Sequence, residues 1–368
     1  MNEIKRVIKD ADKLLLLVVI IAALFGITAI MSSTRIYETN KFVIVQSGAF
    51  IIGVIAMLAI MIPDYNSFAA VAKYLYILSI IMLIAVLFIG MGREEAGSKS
   101  WIRFFGIGIQ PSEFVKIFFI LTFSSHLASV EEYVNSPFPL IGLLAHGGLL
   151  IFLILLEPDY GTAMVYIFMM ICMLFAAKIS YKYIIAALCA FVPIGAVMWF
   201  FVLQPYQKDR FLDFFHPERD MAGSGYHVIQ SKVAIGSGGI IGKGLFKGSL
   251  IQSGALPASH TDFIFSSIAE EFGFVGCAVV MGLLFVIIFK CIYTANASRT
   301  SMGTYICVGV AAMFIFHIYE NIAMCMGLMP VTGIPLPFFS YGGSSLVTAF
   351  VAIGLVMNVS SRTGTATI

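Results

Sequence analysis

The chain has 368 residues, of which 60% are hydrophobic and only 11% are charged, and its net charge is +2. Soluble domains carry roughly 25% charged residues, so this composition excludes an ordinary soluble enzyme. The small net charge gives no electrostatic reason to expect nucleic acid as a partner. Long uncharged runs recur from end to end. They predict an all-α polytopic membrane protein that forms a single integral membrane domain over residues 1–368.

A membrane-spanning helix needs roughly 20 apolar residues, and ten segments of the chain meet that requirement. The first segment is too long for the core of a cleaved signal peptide and has a poor cleavage site, so we expect it to be retained. Most connections are short, but residues 91–112 and 204–272 form long loops. The predicted spans are 14–31, 42–62, 73–90, 113–129, 140–156, 161–177, 183–203, 273–290, 303–323 and 344–359.

The distribution of Lys and Arg predicts the orientation, because basic residues in short loops concentrate on the cytoplasmic side. With the N-terminus inside, the inner segments carry about twice as many basic residues as the outer short loops. Both termini are therefore expected in the cytoplasm. Residues 204–272, between spans seven and eight, then form a large extracytoplasmic loop.

Span four begins with an ionisable pair. Glu113 and Lys116 lie three residues apart, and therefore on one face of a helix. Ionisable side chains at membrane depth are costly, and they face protein or water rather than lipid. Two interpretations remain open: a structural ion pair that locks this helix to a neighbour, or a pair that lines a polar cavity.

The turn between spans five and six, EPDYGT at residues 157–162, contains two carboxylates. Asp159 is well placed to be the N-cap of span six. Alternatively, Glu157 and Asp159 together hold a divalent cation. The cap is the favoured interpretation.

The large outer loop contains a helical pattern followed by a glycine-rich segment. Residues 226–235 have helical periodicity. Residues 236–249 contain six glycines together with Lys243 and Lys247. Exposed backbone N–H groups beside lysines suit an anion such as a phosphate, although the order of a P-loop is absent. A flexible loop without a ligand is the alternative.

The most polar junction of the chain is 256–273. His260, Thr261 and Asp262 directly precede an apolar run, and Glu270 and Glu271 follow about two helical turns later. Because the chain has so few charges, this junction is the first candidate for ionic chemistry, with Asp262 as the working carboxylate. An aspartate before an apolar helix is also a good N-cap, so both roles stay open.

Span nine ends in a polar face, with His317, Glu320 and Asn321 at helical spacing. The segment that follows, 327–345, is rich in proline and glycine and includes Ser344. Irregular backbone at membrane depth is tolerated only where protein or water satisfies it. We therefore expect a shaped re-entry on the outer side.

Four stretches carry a resemblance to a known family: GIQPSEFVK at 108–116, EPDYGTA at 157–163, AIGSGGIIGKG through LPASHTDFIFSSIAEEFGFVG at 234–276, and GLMPVTGIPLPFFSYGGSS at 327–345. With them, the chain resembles the SEDS family (shape, elongation, division, sporulation) of bacterial multi-spanning peptidoglycan glycosyltransferases. The IQPSE sequence and the short tails favour the elongation branch, which includes the rod-shape proteins, over the division branch. One departure is Ala258, where family members often carry an acidic residue.

The resemblance implies polymerisation of lipid II, a disaccharide-pentapeptide on undecaprenyl pyrophosphate, at the outer face of the bacterial cytoplasmic membrane. The family's essential aspartate matches Asp262, and its Glu–Lys ion pair matches Glu113 and Lys116. One general base suffices, because the linkage is inverted from α to β. The pyrophosphate leaving group calls for binding groups and cations. We expect Arg210, Lys243, Lys247, His260, Thr261 and Ser344 to bind substrate, with Mg²⁺ or Mn²⁺ as a candidate ion, and Glu157, Asp159, Glu270, Glu271, Glu320 and Asn321 as supporting groups.

The resemblance also implies a partner, a single-span class B penicillin-binding transpeptidase, which we expect to contact the apolar outer faces of spans eight and nine within the membrane lipids. A transporter that flips the same lipid-linked precursor is the main rival function, because intramembrane Glu113, Lys116 and Glu320 would suit it too. The concentration of polar residues in outer loops favours the enzyme.

Overall fold

The computed structural model describes residues 12–91, 100–104, 107–202, 208 and 224–363. Each of the ten predicted spans overlaps a helix of these ranges. Two further helices, α8 and the one-turn α9, lie in the large loop, where a helix over 226–235 was predicted. The helices are α1 (Lys13–Ser33), α2 (Lys41–Ile60), α3 (Phe68–Ile89), α4 (Pro111–Ser129), α5 (Pro137–Leu156), α6 (Tyr160–Ala176), α7 (Tyr181–Val197), α8 (Ser224–Gly238), α9 (Ser249–Gln252), α10 (Ile264–Ala297), α11 (Ser301–Cys325) and α12 (Gly343–Thr363).

Hydropathy identifies the chain as a multi-pass membrane protein. In the described ranges, seven helical segments are long and apolar enough to cross a membrane, and α6, with 17 residues, is a shorter apolar helix. The seven are α1, α2, α3 with its preceding turn, α5, α10, α11 and α12. The number of ten spans stays a prediction, as does the orientation.

The burial of the helices separates the centre of the bundle from its periphery. The most apolar windows of α11 and α12 are 72% and 78% buried, against 22% for α2 and α3. The outer helices present side chains such as Ile44 and Phe88 to their surroundings, as lipid-facing surfaces do. The polar residues at the end of α11 therefore lie inside the bundle.

Helix α12 packs closely along α2. A Cβ on Gly354 would lie 2.7 Å from the carbonyl oxygen of Met57, so glycine is what allows the two backbones to approach. One turn later, Asn358 Nδ2 donates to the carbonyl oxygens of Ile60 (2.8 Å) and Pro63 (2.7 Å). This amide satisfies carbonyls that the end of α2 leaves without helical partners.

An ion pair joins the beginning of α1 to α10. Asp12 caps α1 by accepting from the backbone N–H of Leu15 at 3.0 Å, and its other oxygen lies 2.9 Å from Lys290 Nζ. Both side chains are 8% exposed. The predicted topology places both residues on the cytoplasmic side, so the pair agrees with it.

The loop 91–112 departs from the all-α prediction. Ile102–Phe104 pairs antiparallel with Ile107–Ile109, and Trp101 forms a bridge to Met91. The strands are too short to leave a readable period-2 pattern in the sequence, which predicted only a long loop there. The charged start of the loop, 92–99, lies outside the described residues. Pro111 occupies the first turn of α4, where its missing N–H costs no helical hydrogen bond.

Candidate active site

Helix α10 is broken at Gly273, which has φ 64° and ψ −162°. The break leaves the backbone N–H groups of Phe274 and Val275 without helical partners. They donate instead to the carbonyl oxygens of Gly239 (2.9 Å) and Ile240 (3.1 Å) in the glycine-rich loop. The segment before the break, which follows Asp262, is thereby separated from the membrane-spanning part of the helix.

The glycine-rich loop also satisfies the other side of the break. Its Lys243 N–H donates to the carbonyl oxygen of Glu270 (3.0 Å), and its Gly244 N–H donates to that of Glu271 (2.9 Å). A Cβ on Gly238 would clash with the carbonyl oxygen of Ala269. These glycines therefore permit close packing against α10. Helix carbonyls already accept from these two N–H groups, so these two are not available to bind a phosphate. Anion binding elsewhere in the loop stays a prediction.

The side chain of Lys243 is also engaged. Its Nζ lies 2.7 Å from Glu270 Oε1, and Glu270 is fully buried. The Glu270 carboxylate also accepts from the backbone N–H groups of Leu250 (3.0 Å) and Ile251 (3.2 Å), which lie in α9. The predicted pyrophosphate ligand Lys243 thus has its charge neutralised by an acidic neighbour.

The other predicted basic ligands, Lys247 and Arg210, and the second glutamate, Glu271, are not part of the Lys243–Glu270 ion pair. Lys247 is exposed, and its ammonium has no partner among the described residues. Arg210 lies outside the described residues. Glu271 accepts from the hydroxyl of Ser32 on α1 at 2.6 Å, so both glutamates connect the part of α10 before Gly273 to its neighbours.

Asp262 is not the cap of α10. The N-cap position is Phe263, without a side-chain cap, so the capping hypothesis is wrong. The Asp262 carboxylate faces Gly333: a Cβ there would lie 3.8 Å from Oδ2, so no side chain intervenes. The carboxylate is partly exposed, yet protein surrounds most of it, and this burial raises its pKa from 3.8 to about 6.

Three distant residues hold the backbone beneath the His260–Asp262 side chains. Asn321 Nδ2 donates to the carbonyl oxygen of Asp262 at 2.9 Å. Ser340 Oγ donates to that of Thr261 at 2.7 Å, and the N–H of Tyr341 donates to that of His260 at 2.8 Å. Because the three carbonyls are held by hydrogen bonds, the backbone that carries the Asp262 side chain is fixed in position. The second N–H of Asn321 binds the carbonyl oxygen of Ile334 (2.8 Å), so the predicted re-entry 327–345 packs against this loop.

Neither His260 nor Thr261 brings positive charge to the site. The His260 ring packs edge-on against Phe42, with centroids 4.9 Å apart, and against Tyr37. Burial lowers its pKa to about 4, so the ring is neutral at physiological pH. The Thr261 hydroxyl donates to the carbonyl oxygen of Ala258 at 3.3 Å. Ala258 has φ 48°, a left-handed conformation that favours Asp or Asn, which suits the acidic residue of family members.

The EPDYGT turn confirms the cap. Asp159 Oδ1 accepts from the backbone N–H of Thr162 at 3.0 Å, and Oδ2 accepts from the Thr162 hydroxyl (2.9 Å) and from Gln110 Nε2 (3.1 Å). Glu157 is 1% exposed, and within the described residues neither of its oxygens makes a hydrogen bond of standard geometry, although the Ser100 hydroxyl lies near enough to oppose the shift in its pKa. Burial, followed by the nearby Asp159 charge, raises its pKa to about 8. Ser344 lies close by, and its hydroxyl accepts from the backbone N–H of Gln110 (3.3 Å).

These carboxylates do not form a self-sufficient metal site. No group of three or more His, Cys, Asp or Glu side chains in the described part of the chain is arranged to hold an ion. Both oxygens of Asp159 are already engaged. A protein-only site for Mg²⁺ or Mn²⁺ therefore does not fit this turn.

The Glu113–Lys116 pair is present, and it has a third member. Lys116 Nζ lies 2.7 Å from Glu113 Oε1 and 3.0 Å from His317 Nε2. All three side chains are buried. One turn above His317, Glu320 Oε1 accepts from the hydroxyl of Thr332 at 2.9 Å. His317 had been noted only for its spacing, and its contact with span four could not be read from the sequence.

Comparison with known proteins identifies the family of the chain. A family model described as cell cycle protein, covering FtsW, RodA and SpoVE, matches residues 12–365. The probable peptidoglycan glycosyltransferase FtsW of Trichlorobacter lovleyi is 33% identical over 367 residues, covering 96% of this chain and 93% of the relative. The peptidoglycan glycosyltransferase MrdB of Escherichia coli is 35% identical over 298 residues, covering 78% and 77%.

Solved structures share the fold. One, described as showing the structural coordination of polymerization and crosslinking by a peptidoglycan synthase complex, superposes with a TM-score of 0.80 at 29% identity, over 96% of this chain and 98% of the other. The rod shape determining protein RodA of Thermus thermophilus superposes with a TM-score of 0.70 at 24% identity, over 95% and 96%. The resemblance found in the sequence is confirmed: the chain belongs to the cell cycle protein family of FtsW, RodA and SpoVE, the SEDS proteins.

Proposed function

We propose that this protein is a peptidoglycan glycosyltransferase that polymerises lipid II at the outer face of the bacterial cytoplasmic membrane. The relatives named above as peptidoglycan glycosyltransferases support the reaction class. The observation that carries the assignment within the chain is the carboxylate of Asp262. This carboxylate does not cap α10 and faces the backbone of Gly333, which has no side chain. The loop that carries it is held by hydrogen bonds to its carbonyl oxygens.

Asp262 acts as the general base in this proposal. The hydroxyl of the acceptor sugar loses its proton to the carboxylate as its oxygen attacks the anomeric carbon of the donor, and the bond to the lipid pyrophosphate breaks. Attack from the face opposite the leaving group inverts the linkage, so no covalent sugar–enzyme intermediate forms. A pKa of about 6 leaves the carboxylate ionised at pH 7 while making it more basic than an ordinary aspartate.

The leaving pyrophosphate needs positive charge, and Lys243 is already paired with Glu270. Exposed Lys247, together with Arg210, is the better candidate on the outer loop. An external divalent cation could bind the pyrophosphate itself, because Mg²⁺ commonly uses substrate phosphates with few protein ligands. The lipid chain would lie along the apolar outer surfaces of the helices.

A flippase for the same lipid is the second candidate. It is favoured by the buried polar cluster of Glu113, Lys116 and His317, because ionisable groups at membrane depth mark pathways in transporters. A compartment-free assay separates the two functions, since flipping is undetectable in detergent and polymerisation is not.

The decisive experiment supplies the purified protein with lipid II in detergent and resolves the glycan products by gel electrophoresis. We expect polymer from the wild type, none from Asp262→Asn, and wild-type yield from Asp64→Asn, which changes an exposed aspartate whose side chain is 46% accessible. Polymer from Asp262→Asn at the wild-type rate would remove Asp262 as the base. Absence of polymer from the wild type, with lipid movement in liposomes, would establish the flippase instead.

We further propose that the protein works with a class B penicillin-binding transpeptidase, which crosslinks the new strand. The structural match to a peptidoglycan synthase complex supports this pairing. The exposed face of α10, including Phe274, Phe285 and Phe289, is our candidate contact. Co-purification that survives three Phe→Ser changes on this face would exclude it as the contact.

A further inference from the structure

The buried Lys116 ammonium is held from two sides. Glu113 Oε1 and His317 Nε2 lie 2.7 Å and 3.0 Å from its Nζ, and Lys116 is only 1% exposed. Glu113 lies on the same helix, one turn away, whereas His317 reaches across from α11. The family resemblance accounts for the Glu–Lys pair alone and assigns nothing to His317.

The hydrogen bonds of His317 determine its tautomer. Its Nδ1 lies 2.9 Å from the carbonyl oxygen of Met313, which can only accept. Nδ1 must therefore carry the hydrogen. A lysine ammonium can only donate, so Nε2 must be the bare, accepting nitrogen. His317 is thus neutral, with one hydrogen on Nδ1.

In this arrangement one of the three N–H groups of the Lys116 ammonium makes no hydrogen bond to the described residues. An ammonium has three N–H groups, and among the described residues two of them have acceptors. The neutral ring adds an acceptor without adding a charge, so the positive charge of Lys116 is balanced by Glu113 alone. Two fixed partners also fix the direction of the third N–H group.

His317 lies on the same face of α11 as the residue that supports the candidate base. His317 and Asn321 are four residues apart on α11, which is about 6 Å along the helix axis. Asn321 holds the carbonyl of Asp262 at 2.9 Å. A single helix therefore positions both the backbone of the base and the ammonium of Lys116.

We propose that His317 is a positioning residue for the polymerisation reaction: as the neutral Nδ1–H tautomer, it orients the Lys116 ammonium so that its third N–H is kept for an oxygen atom of the substrate. This inference rests on the proposed function. It does not require that His317 touch the substrate or change its protonation during the reaction.

Two substitutions separate the roles of the two ring nitrogens of His317. In His317→Gln the amide oxygen reaches the position of Nε2, so the acceptor for Lys116 is kept while the donor to Met313 is lost. In His317→Asn the amide nitrogen lies near the position of Nδ1, so the donor to Met313 is kept while the acceptor for Lys116 is lost. The two variants have similar polarity and remove a similar number of hydrogen bonds.

The test measures glycan polymerisation and thermal unfolding for both variants. We expect His317→Gln to keep activity within about threefold of the wild type and His317→Asn to lose about tenfold or more, with unfolding midpoints that match each other. Equal activity in the two variants, or activity that follows the unfolding midpoint, would overturn the inference in favour of a packing role. A wild type that makes no polymer would refute the proposed function instead.

Nitrogen-15 spectra of histidine-labelled protein give a readout that is independent of activity. The signal lost in His317→Gln belongs to His317, and we expect the chemical shifts of a neutral ring with Nδ1 protonated. An imidazolium or a ring protonated on Nε2 would overturn the assignment, whether or not the protein polymerises lipid II.

Discussion

Replacement of Asp262 by asparagine should inactivate the protein and stabilise it at the same time. Burial raises the pKa of Asp262 from 3.8 to about 6, which means that the folded protein disfavours the charged carboxylate relative to the unfolded chain. The carboxamide of asparagine has nearly the same shape and no charge. A group required only for folding would not give this combination of effects.

The magnitude follows from the two pKa values. The difference between 3.8 and about 6 corresponds to about 3 kcal/mol at 1.36 kcal/mol per pH unit. Because the folded pKa is the higher one, stabilisation by the protonated carboxyl is complete below pH 3.8 and is lost as the pH rises through about 6. At pH 8 the charged carboxylate therefore lowers the stability of the folded wild type, whereas the uncharged asparagine of the variant has no such effect. Since the side chain is partly exposed, we expect a gain of about 1–3 kcal/mol.

Thermal unfolding of the purified proteins in detergent at pH 5 and pH 8 measures the effect. The variant should unfold at a higher temperature than the wild type at pH 8. The difference between the two unfolding temperatures should be smaller at pH 5. Asp64→Asn, at an exposed carboxylate, should show no gain. A gap of equal size at both pH values would refute the argument that a buried charge on Asp262 destabilises the fold.

Four further predictions concern catalysis and the surroundings of the site. Polymerisation should fall about tenfold between pH 7 and pH 5 as the Asp262 carboxylate takes up its proton, and a flat profile would exclude it as the base. Gly273→Ala should lower the unfolding temperature, because Gly273 has φ 64° and an added Cβ would clash with the backbone nitrogen of Gly242. Gly282→Ala should not, because nothing lies within 4 Å of the added Cβ. Lys243→Gln should destabilise by about 1–3 kcal/mol because its buried carboxylate partner loses its cation; a raised KM at unchanged stability would mean that Lys243 binds substrate. Asn358→Leu should cost about 1 kcal/mol because two partly buried carbonyls lose their hydrogen bonds to the amide, and an unchanged unfolding temperature would show that water replaces the amide.

Hydropathy was sufficient to predict the helices, because each long apolar run has a length set by the bilayer and needs no knowledge of its neighbours. It could not predict the ribbon 102–109, whose three-residue strands carry no readable alternation. It also could not predict that α10 is broken at Gly273. The helical segment there is held by a loop that lies about thirty residues earlier in the chain, and such a contact leaves no local pattern.

Two alternatives at the site depended on contacts that the sequence does not show. Glycines allow close approach, and the sequence does not say what approaches: around Gly238 it is the backbone of α10 rather than a phosphate. An aspartate before a helix suits a cap, but the helix begins one residue later than a cap at Asp262 requires. The pairing of Glu113 with Lys116 was predictable because both residues lie on one helix. The contribution of His317 was not, because it depends on how α11 packs against α4.

The hydrogen bonds beneath the candidate base also constrain how the protein can be made. The donors to the carbonyls of Asp262 and Thr261 lie 59 and 79 residues later in the chain. When Asp262 leaves the ribosome, these donors have not yet been synthesised. A nascent chain therefore contains Asp262 well before it contains the residues that hold its backbone. The complete site can form only after α11 has inserted and the segment up to Tyr341 has packed against the loop of Asp262.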